Sequence, residues 1–260
     1  MCGITGVVWG TRAKAVEANV LDRLTDVLVH RGPDGHGTYL HNGGNGSGVA
    51  LGHRRLSIID LAGGKQPLSN EDGTIWITFN GEIYNYVELK RELEQQGHRF
   101  RTNCDTETIV HLYEELGDAC LDRLRGMFAF AIWDQRRQRL LVARDRLGQK
   151  PLVYREEPGR LTFASEIKSL LQIPGTPREV DPIAQDEYLT YGYVPPPRTM
   201  FSGICKLPPA HFGVYENGQL TVSRYWSPDL DRVSHLPLPE LQDEMRQRLD
   251  EAVRLRLRSD

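Results

Sequence analysis

The sequence predicts an α+β fold in which a sheet-on-sheet core is flanked by helices. Three observations carry that expectation. Strands occur in clusters joined by short polar turns, the pattern of antiparallel hairpins. Amphipathic helices stand before and between those clusters, each with one apolar face to bury. Strand and helix do not alternate regularly, which argues against a doubly wound parallel sheet. At 260 residues the chain can bury a substantial core, as one large domain or as one and a fraction.

Composition narrows the function classes. A formal net charge of -3 gives no basic excess for nucleic acid, and no polybasic cluster marks a membrane surface. No apolar run is long enough to span a bilayer. The start lacks a charged segment followed by an apolar one, so it does not read as a secretion signal, and a cytoplasmic location is expected. Four scattered cysteines, at 2, 104, 120 and 205, have no metal-site spacing and form no compact disulfide framework.

The chain opens with Met1-Cys2-Gly3-Ile4-Thr5-Gly6-Val7-Val8, where Ile4, Val7 and Val8 mark a buried first strand. Once Met1 is trimmed, Cys2 carries a thiol and a free α-amine on one carbon. A thiol with a pKa near ~8.5 is mostly protonated at neutral pH, and an α-amine near ~7.7–8.0 is a base beside it. One residue then supplies both nucleophile and base. Taken alone, Cys2 reads first as a small buried cysteine.

Val16, Val20, Leu21, Leu24, Val27 and Leu28 recur at helical spacing and predict an amphipathic helix ending before His30. The stretch Arg31-Gly32-Pro33-Asp34-Gly35 has the composition of a tight connector. Strands are predicted at 37–41 and 48–52, around a polar tip at 42–47. In the next segment, Gly52-His53-Arg54-Arg55-Leu56-Ser57-Ile58-Ile59, two adjacent arginines on a strand face opposite ways, so one is directed inward. An inward guanidinium requires an anionic partner from the protein or from a ligand. Two solvated arginines are the plainer alternative.

A strand at 75–79 is followed by Asn80-Gly81. That dipeptide signals a tight hairpin turn. The Asn amide and Gly N–H also make a pair of donors suited to an oxyanion. Both readings stay open. Residues 86–96 predict a charged helix, and Asp105 is placed as N-cap of a helix carrying Ile109, Val110, Leu112, Tyr113 and Leu116. A carboxylate there could also take a ligand amine. Four strands follow at 127–133, 139–143, 152–154 and 161–164. The charged loop 144–151 reads as an internal salt-bridge cluster, and 166–171 starts another helix. Residues 212–226 form a hairpin turning at Asn217-Gly218, and Leu241, Met245, Leu249 and Val253 mark a helix from Leu238 onward.

In order along the chain, Cys2-Gly3-Ile4, the 31–35 loop, Arg55-Leu56-Ser57-Ile58, Asn80-Gly81-Glu82-Ile83-Tyr84-Asn85 and Asp105 resemble the class II glutamine amidotransferases. Those are N-terminal-nucleophile hydrolases. Within them the chain is most similar to the glutamine-hydrolysing asparagine synthetases, through 128–134, Arg144-Asp145, 165–168, 193–201 and 206–211. The likeness covers nearly the whole chain. It implies a four-layer αββα sandwich of antiparallel sheets over residues 2–218. Residues 219–260 would be a linker strand and the first helix of a synthetase domain.

The resemblance also assigns roles. Cys2 would attack the side-chain amide of glutamine, with its own α-amine moving the proton. Asn80 and Gly81 would form the oxyanion hole. Arg55 would clamp the α-carboxylate, Asp105 and Glu82 would take the α-amino group, and Leu56, Ser57, Ile58 and Ile59 would line the pocket by backbone. The expected partners are glutamine and a missing C-terminal synthetase domain. No nucleic acid or membrane is expected, and a homodimer is held open. No cofactor or metal is expected for the glutaminase half, ATP and magnesium being needed only by the missing half. The family's Ser-Gly-Gly-x-Asp-Ser pyrophosphate loop is absent from the 260 residues, so the chain reads as a truncated form of a bifunctional parent. Ala210 stands where a glycine is expected before His211. Two alternatives accompany this reading: a relative amidating or cyclising another carboxylate in secondary metabolism, and a non-catalytic regulatory module of the same fold.

Overall fold

The computed structural model describes residues 1–57, 63–231 and 233–257. Its twelve described strands form two six-stranded antiparallel sheets. The first joins β1 (Gly3–Trp9), β2 (Gly35–Asn42) and β3 (Gly48–Arg55) to β8 (Val153–Glu157), β9 (Arg160–Ala164) and β10 (Cys205–Lys206), in the order β10-β8-β9-β1-β3-β2. The second contains β4 (Leu68–Ser69), β5 (Ile75–Ile83), β6 (Gly126–Asp134), β7 (Arg139–Arg144), β11 (His211–Glu216) and β12 (Gln219–Arg224), in the order β12-β11-β7-β6-β5-β4.

Period-two alternation explains how these strands build layers, since successive side chains leave opposite faces. On β6, Ala129, Ala131 and Trp133 join Ile4, Val8, Val49 and Leu51 of the first sheet in the core between the sheets. Phe128, Phe130 and Ile132 face the other way. There they pack with Leu89 and Leu93 of α2 (Tyr86–Gln95) and Ile109, Val110 and Tyr113 of α3 (Asp105–Leu116), while α4 (Cys120–Arg123) adds Leu121. On the far side, Val7 and Trp9 meet Leu21 and Leu24 of α1 (Ala18–Asp26). The short α5 (Ile167–Leu170) covers β8 and β9 through Leu170. The result is the expected αββα sandwich.

Two helices lie outside these layers. α6 (Pro182–Tyr191) is started by Asp181, whose carboxylate accepts the N–H groups of Ile183 and Ala184. α7 (Leu238–Arg256) buries none of its residues. It touches the sandwich through an Arg125–Glu251 ion pair and the Arg256 guanidinium over the Tyr84 ring.

One open reading is decided and one expectation is corrected. Asn80-Gly81 is not a hairpin turn, because β5 continues to Ile83 with Asn80 opposite Ala129 and Gly81 opposite Phe128 of β6. Helix α3 is capped by Cys104, not Asp105, which is its first residue. The Asp105 carboxylate instead accepts the N–H of Ile83 at 2.8 Å, tying the helix start to β5.

Candidate active site

Cys2 stands immediately before β1, the strand that pairs on one side with β3 and on the other with β9. Every residue of β1 is buried, so the nucleophile candidate hangs from a rigid element. Ser165 fixes its end: the Ile4 N–H donates to Ser165 Oγ at 3.0 Å, and the Ser165 N–H donates to the Ile4 carbonyl at 2.9 Å. The register sets Gly3 opposite Arg54, which brings the Cys2 thiol to the backbone of Leu56. The Leu56 N–H lies 3.4 Å from Sγ.

The 31–35 loop has a definite structural role here. Arg31 donates from Nε to the Cys2 carbonyl and from Nη1 to Glu166, both at 2.9 Å. Burial works against the Glu166 charge, but hydrogen bonds from Arg31, His30 and Lys168 hold its carboxyl down at about 2. Asp34 accepts the Ser57 N–H at 2.8 Å and donates its own N–H to the Arg55 carbonyl. A Cβ on Gly32 would lie 2.3 Å from the Arg54 carbonyl carbon, so only glycine lets this loop lie against the strand.

The paired arginines separate as strand geometry requires. Arg54 turns to α1, forming an ion pair with Asp26 and donating to the Thr25 carbonyl at 3.3 Å. Arg55 lines a cavity with Cys2, Leu56, Gly81, Glu82 and Asp105. Gln66, which sequence reasoning passed over, lines it too, fastening the Phe79 N–H to Oε1 at 2.7 Å. Ser57 follows Leu56 but is not among the residues that line the cavity, whereas Ile58 and Ile59 lie outside the described residues.

Asn80 does not line that cavity. It shares strand parity with Thr78, whose hydroxyl donates to the Gly52 carbonyl of the facing sheet, so the amide belongs to the space between the sheets. Asn80 is 1% exposed and, among the described residues, its Nδ2 has no hydrogen-bond partner. A buried donor left unpaired is costly, which marks the position as one awaiting an acceptor. Gly81 is obligatory for packing: a Cβ there would lie 2.2 Å from the Met127 carbonyl oxygen.

The electrostatics favour an uncharged resting thiol. Burial pushes the Cys2 thiol up, against opposing effects from the Leu56 N–H, the N-terminal ammonium and Arg55. Burial also pushes the N-terminal ammonium, that of Met1, down. Asp105 is raised to about 6 by burial, despite the Ile83 hydrogen bond. Glu82 is raised to about 8 by burial and by the Asp105 charge, with Lys150 opposing.

Lys150 is a neighbour of the site that sequence reasoning missed. It is 5% exposed, and its Nζ reaches Met1 Sδ at 3.1 Å. Burial lowers its pKa against the attraction of Glu82 and Cys2. The loop that carries it is not the expected salt-bridge cluster. Asp145 accepts the N–H groups of Phe128, Leu147, Gln149 and Lys150, while Arg144 donates to the carbonyls of Gly148, Lys150 and Leu207. Both charges are spent on backbone, which stiffens the loop and fixes Lys150.

The raised carboxyl of Glu82 has a stability consequence with a definite sign. The folded protein holds that proton more tightly than the unfolded chain does. Its contribution is therefore intact below about pH 4.5 and is lost as the pH rises through about 8. Glu82→Gln is expected to raise Tm relative to the parent at pH 8.5 and to leave it unchanged at pH 4, as read by paired thermal melts.

Comparison with known proteins follows this geometry. A family profile described as "Glutamine amidotransferase domain" matches residues 1–226. "Asparagine synthetase [glutamine-hydrolyzing] 3" of Bacillus subtilis (strain 168) is 39% identical over 235 residues, covering 89% of this chain and 38% of that protein. "Asparagine synthetase [glutamine-hydrolyzing] 1" of the same organism is 38% identical over 263 residues, covering 100% of this chain and 40% of the relative. The chain thus spans about two fifths of the length of these relatives. Among solved structures, the "allosteric regulatory enzyme of purine biosynthesis" superimposes with a TM-score of 0.63 at 22% identity, covering 87% of this chain and 50% of that one. That match concerns the fold.

Proposed function

The chain belongs to the glutamine amidotransferase domain family, and we propose that it hydrolyses glutamine to glutamate and ammonia through a thioester on Cys2. The observation that carries this reading is a cavity where a thiol shares its walls with one guanidinium and two carboxylates. A free amino acid presents one carboxylate and one ammonium, which Arg55 and the Glu82–Asp105 pair complement in charge. The side-chain amide is then left for Cys2.

With Met1 removed, the Cys2 α-amine takes the thiol proton as Sγ attacks the amide carbon. Asn80 Nδ2 and the Gly81 N–H stabilise the oxyanion of the tetrahedral intermediate, and the unpartnered Asn80 amide supports that role. The amine returns the proton to the departing nitrogen and ammonia leaves. Water then cleaves the thioester to glutamate. Lys150, beside Cys2 and Glu82, keeps positive potential at the thiol. Leu56 presents backbone along the cavity wall.

The ammonia acceptor belongs to a second domain in this proposal, as the names of the asparagine synthetase relatives suggest. That domain, with ATP and magnesium, would activate a carboxylate, aspartate being the first candidate. Exposed apolar side chains support a packing surface for it, with Leu189 of α6 at 76% and Leu249 of α7 at 58%. A protein named "Amidase chry2" of Gibberella zeae is 35% identical across 100% of this chain, which keeps another acceptor open.

The test is glutamate and asparagine measured on one purified sample. Glutamate release without ATP or magnesium is expected, and added ATP and aspartate should yield no asparagine, since the 260 residues hold no pyrophosphate loop. Folded, Met1-free protein that releases no glutamate would overturn the proposal.

Arg55 gives a sharper check on substrate orientation. Arg55→Ala is expected to lower kcat/KM for glutamine by roughly 30- to 1000-fold, equivalent to about 2–4 kcal/mol for a lost charge-assisted contact. Arg54→Ala removes an ion pair with Asp26 on α1 and should change kcat/KM by less than about threefold. Equal effects in steady-state kinetics would rule out the assignment.

A further inference from the structure

On the outer face of the second sheet, away from Cys2, four side chains from three segments converge: Glu71 from the turn after β4, His98 from the loop after α2, and His111 and Glu114 from α3. One ligand atom from each lies within 4.8 Å of all the others. Both imidazoles present Nδ1 to the same two carboxylates. His111 Nδ1 is 2.8 Å from Glu114 Oε2 and 3.6 Å from Glu71 Oε2. His98 Nδ1 is 3.8 Å from Glu114 Oε2 and 3.9 Å from Glu71 Oε1. In a tetrahedral site with metal–ligand bonds of 2.0–2.1 Å, donor atoms stand roughly 3.3 Å apart. The cage is already near that size.

The surroundings are those of a metal centre. Metal-binding histidines commonly direct their second nitrogen to a carboxylate that sets the tautomer and ring orientation. Here His98 Nε2 meets Glu115 Oε1 at 3.0 Å, and His111 Nε2 faces Glu107 Oε1 at 3.7 Å. Glu107 is itself held by the N–H groups of Arg101 and Thr102 and by the Thr102 hydroxyl. The two carboxylates facing inward are anchored as well, Glu114 by the Asn70 amide at 2.7 Å and Glu71 by the Arg99 N–H at 3.1 Å. Among the described residues, none of these four carboxylates pairs with a lysine or arginine; their ion-pair partners are the two histidines alone. Four carboxylates around two imidazoles leave an excess of negative charge, and His111 is fully buried within it.

We propose that Glu71, His98, His111 and Glu114 form a binding site for a structural divalent transition-metal ion, with zinc the best fit. Two imidazole nitrogens select a borderline ion such as zinc over magnesium or calcium, which favour all-oxygen sites. Two carboxylates neutralise its charge. The four protein ligands close the coordination sphere, the arrangement of a structural site. The ion staples α3 to the turn after β4 and to the loop after α2. Because α3 begins with Asp105, it also steadies one wall of the Cys2 cavity. The inference stands independently of the glutaminase reading.

The experiment is zinc titration of untagged, chelator-treated full chain, read by calorimetry, by metal content after desalting and by thermal melts. Uptake of one zinc per chain with a rise in Tm of several degrees is expected, since a ligand bound by the folded form alone stabilises it. Cys2→Ser should keep that uptake. His98→Ala should lose it, and the near-isosteric Glu71→Gln should weaken it at least tenfold. Magnesium in place of zinc should give no Tm shift. Failure of the parent protein to take up zinc would overturn the proposal, as would uptake unchanged in Glu71→Gln or abolished by Cys2→Ser. The parent titration and Glu71→Gln decide the matter even where His98→Ala does not fold.

Discussion

Cys2→Ala protein is expected to fold normally and to release no glutamate above background, a loss on the order of 10⁴-fold or more. Protein that keeps Met1 should be equally silent. The substitution removes the nucleophile but little packing, because Cys2 precedes β1 and belongs to none of the core clusters. Met1 acts differently: it leaves the thiol in place and removes the amine from its carbon. The base would then lie one residue away, with the Met1 side chain held at Lys150. Intact mass spectrometry of active protein should show Met1 absent. Full glutaminase activity with Met1 retained would refute the nucleophile-and-base assignment.

Asn80→Ala is expected to lower kcat about 10²–10³-fold, roughly 2.7–4 kcal/mol, with KM little changed. An oxyanion donor acts on charge that exists only after attack, so substrate binding should be spared. The same substitution should leave Tm nearly unchanged. It deletes a buried amide whose Nδ2 has no partner among the described residues, which offsets the small cavity it opens. Gly81→Ala should do the reverse and destabilise, because its Cβ would lie 2.2 Å from the Met127 carbonyl and 2.8 Å from Phe128 Cα. Neither atom can move without parting β5 from β6. A lowered KM-independent rate with a normal melt for Asn80→Ala, beside a depressed melt for Gly81→Ala, distinguishes the two roles.

These residues also show how far the sequence could be read. Buried strands were legible wherever an apolar run was long, as on β1 and β6, which are buried on both faces over most of their length. The divergence of Arg54 and Arg55 followed from alternation alone. Asn80-Gly81 was not decidable, because the dipeptide favours a hairpin locally and only pairing with β6 keeps the strand extended through it. The Asp105 cap was displaced by one residue because Ile83, distant in sequence, offers its N–H to the carboxylate. Lys150 and the Arg31–Glu166 contact were hidden for the same reason. Local charge in a loop says nothing about which distant atoms receive it. The four residues of the proposed metal site come from three segments, and only His111 and Glu114 are spaced so that sequence could suggest a common helix face.

The central place of β1 in its sheet has a consequence for how active molecules arise during translation. β9 and Ser165 must emerge before β1 can be enclosed on both sides. At about 5–20 residues per second, that leaves the amino terminus uncovered for roughly ten to thirty seconds after it appears. Methionine trimming is least hindered during that interval. Once the sheet closes, Met1 is still 52% exposed, but its sulfur is held at Lys150, which would slow trimming without preventing it. Molecules that keep Met1 are well folded and carry an intact thiol, yet lack the α-amine on Cys2. The specific activity of a preparation would then count timely processing and not folding, and slowing synthesis between residues 2 and 165 should raise it.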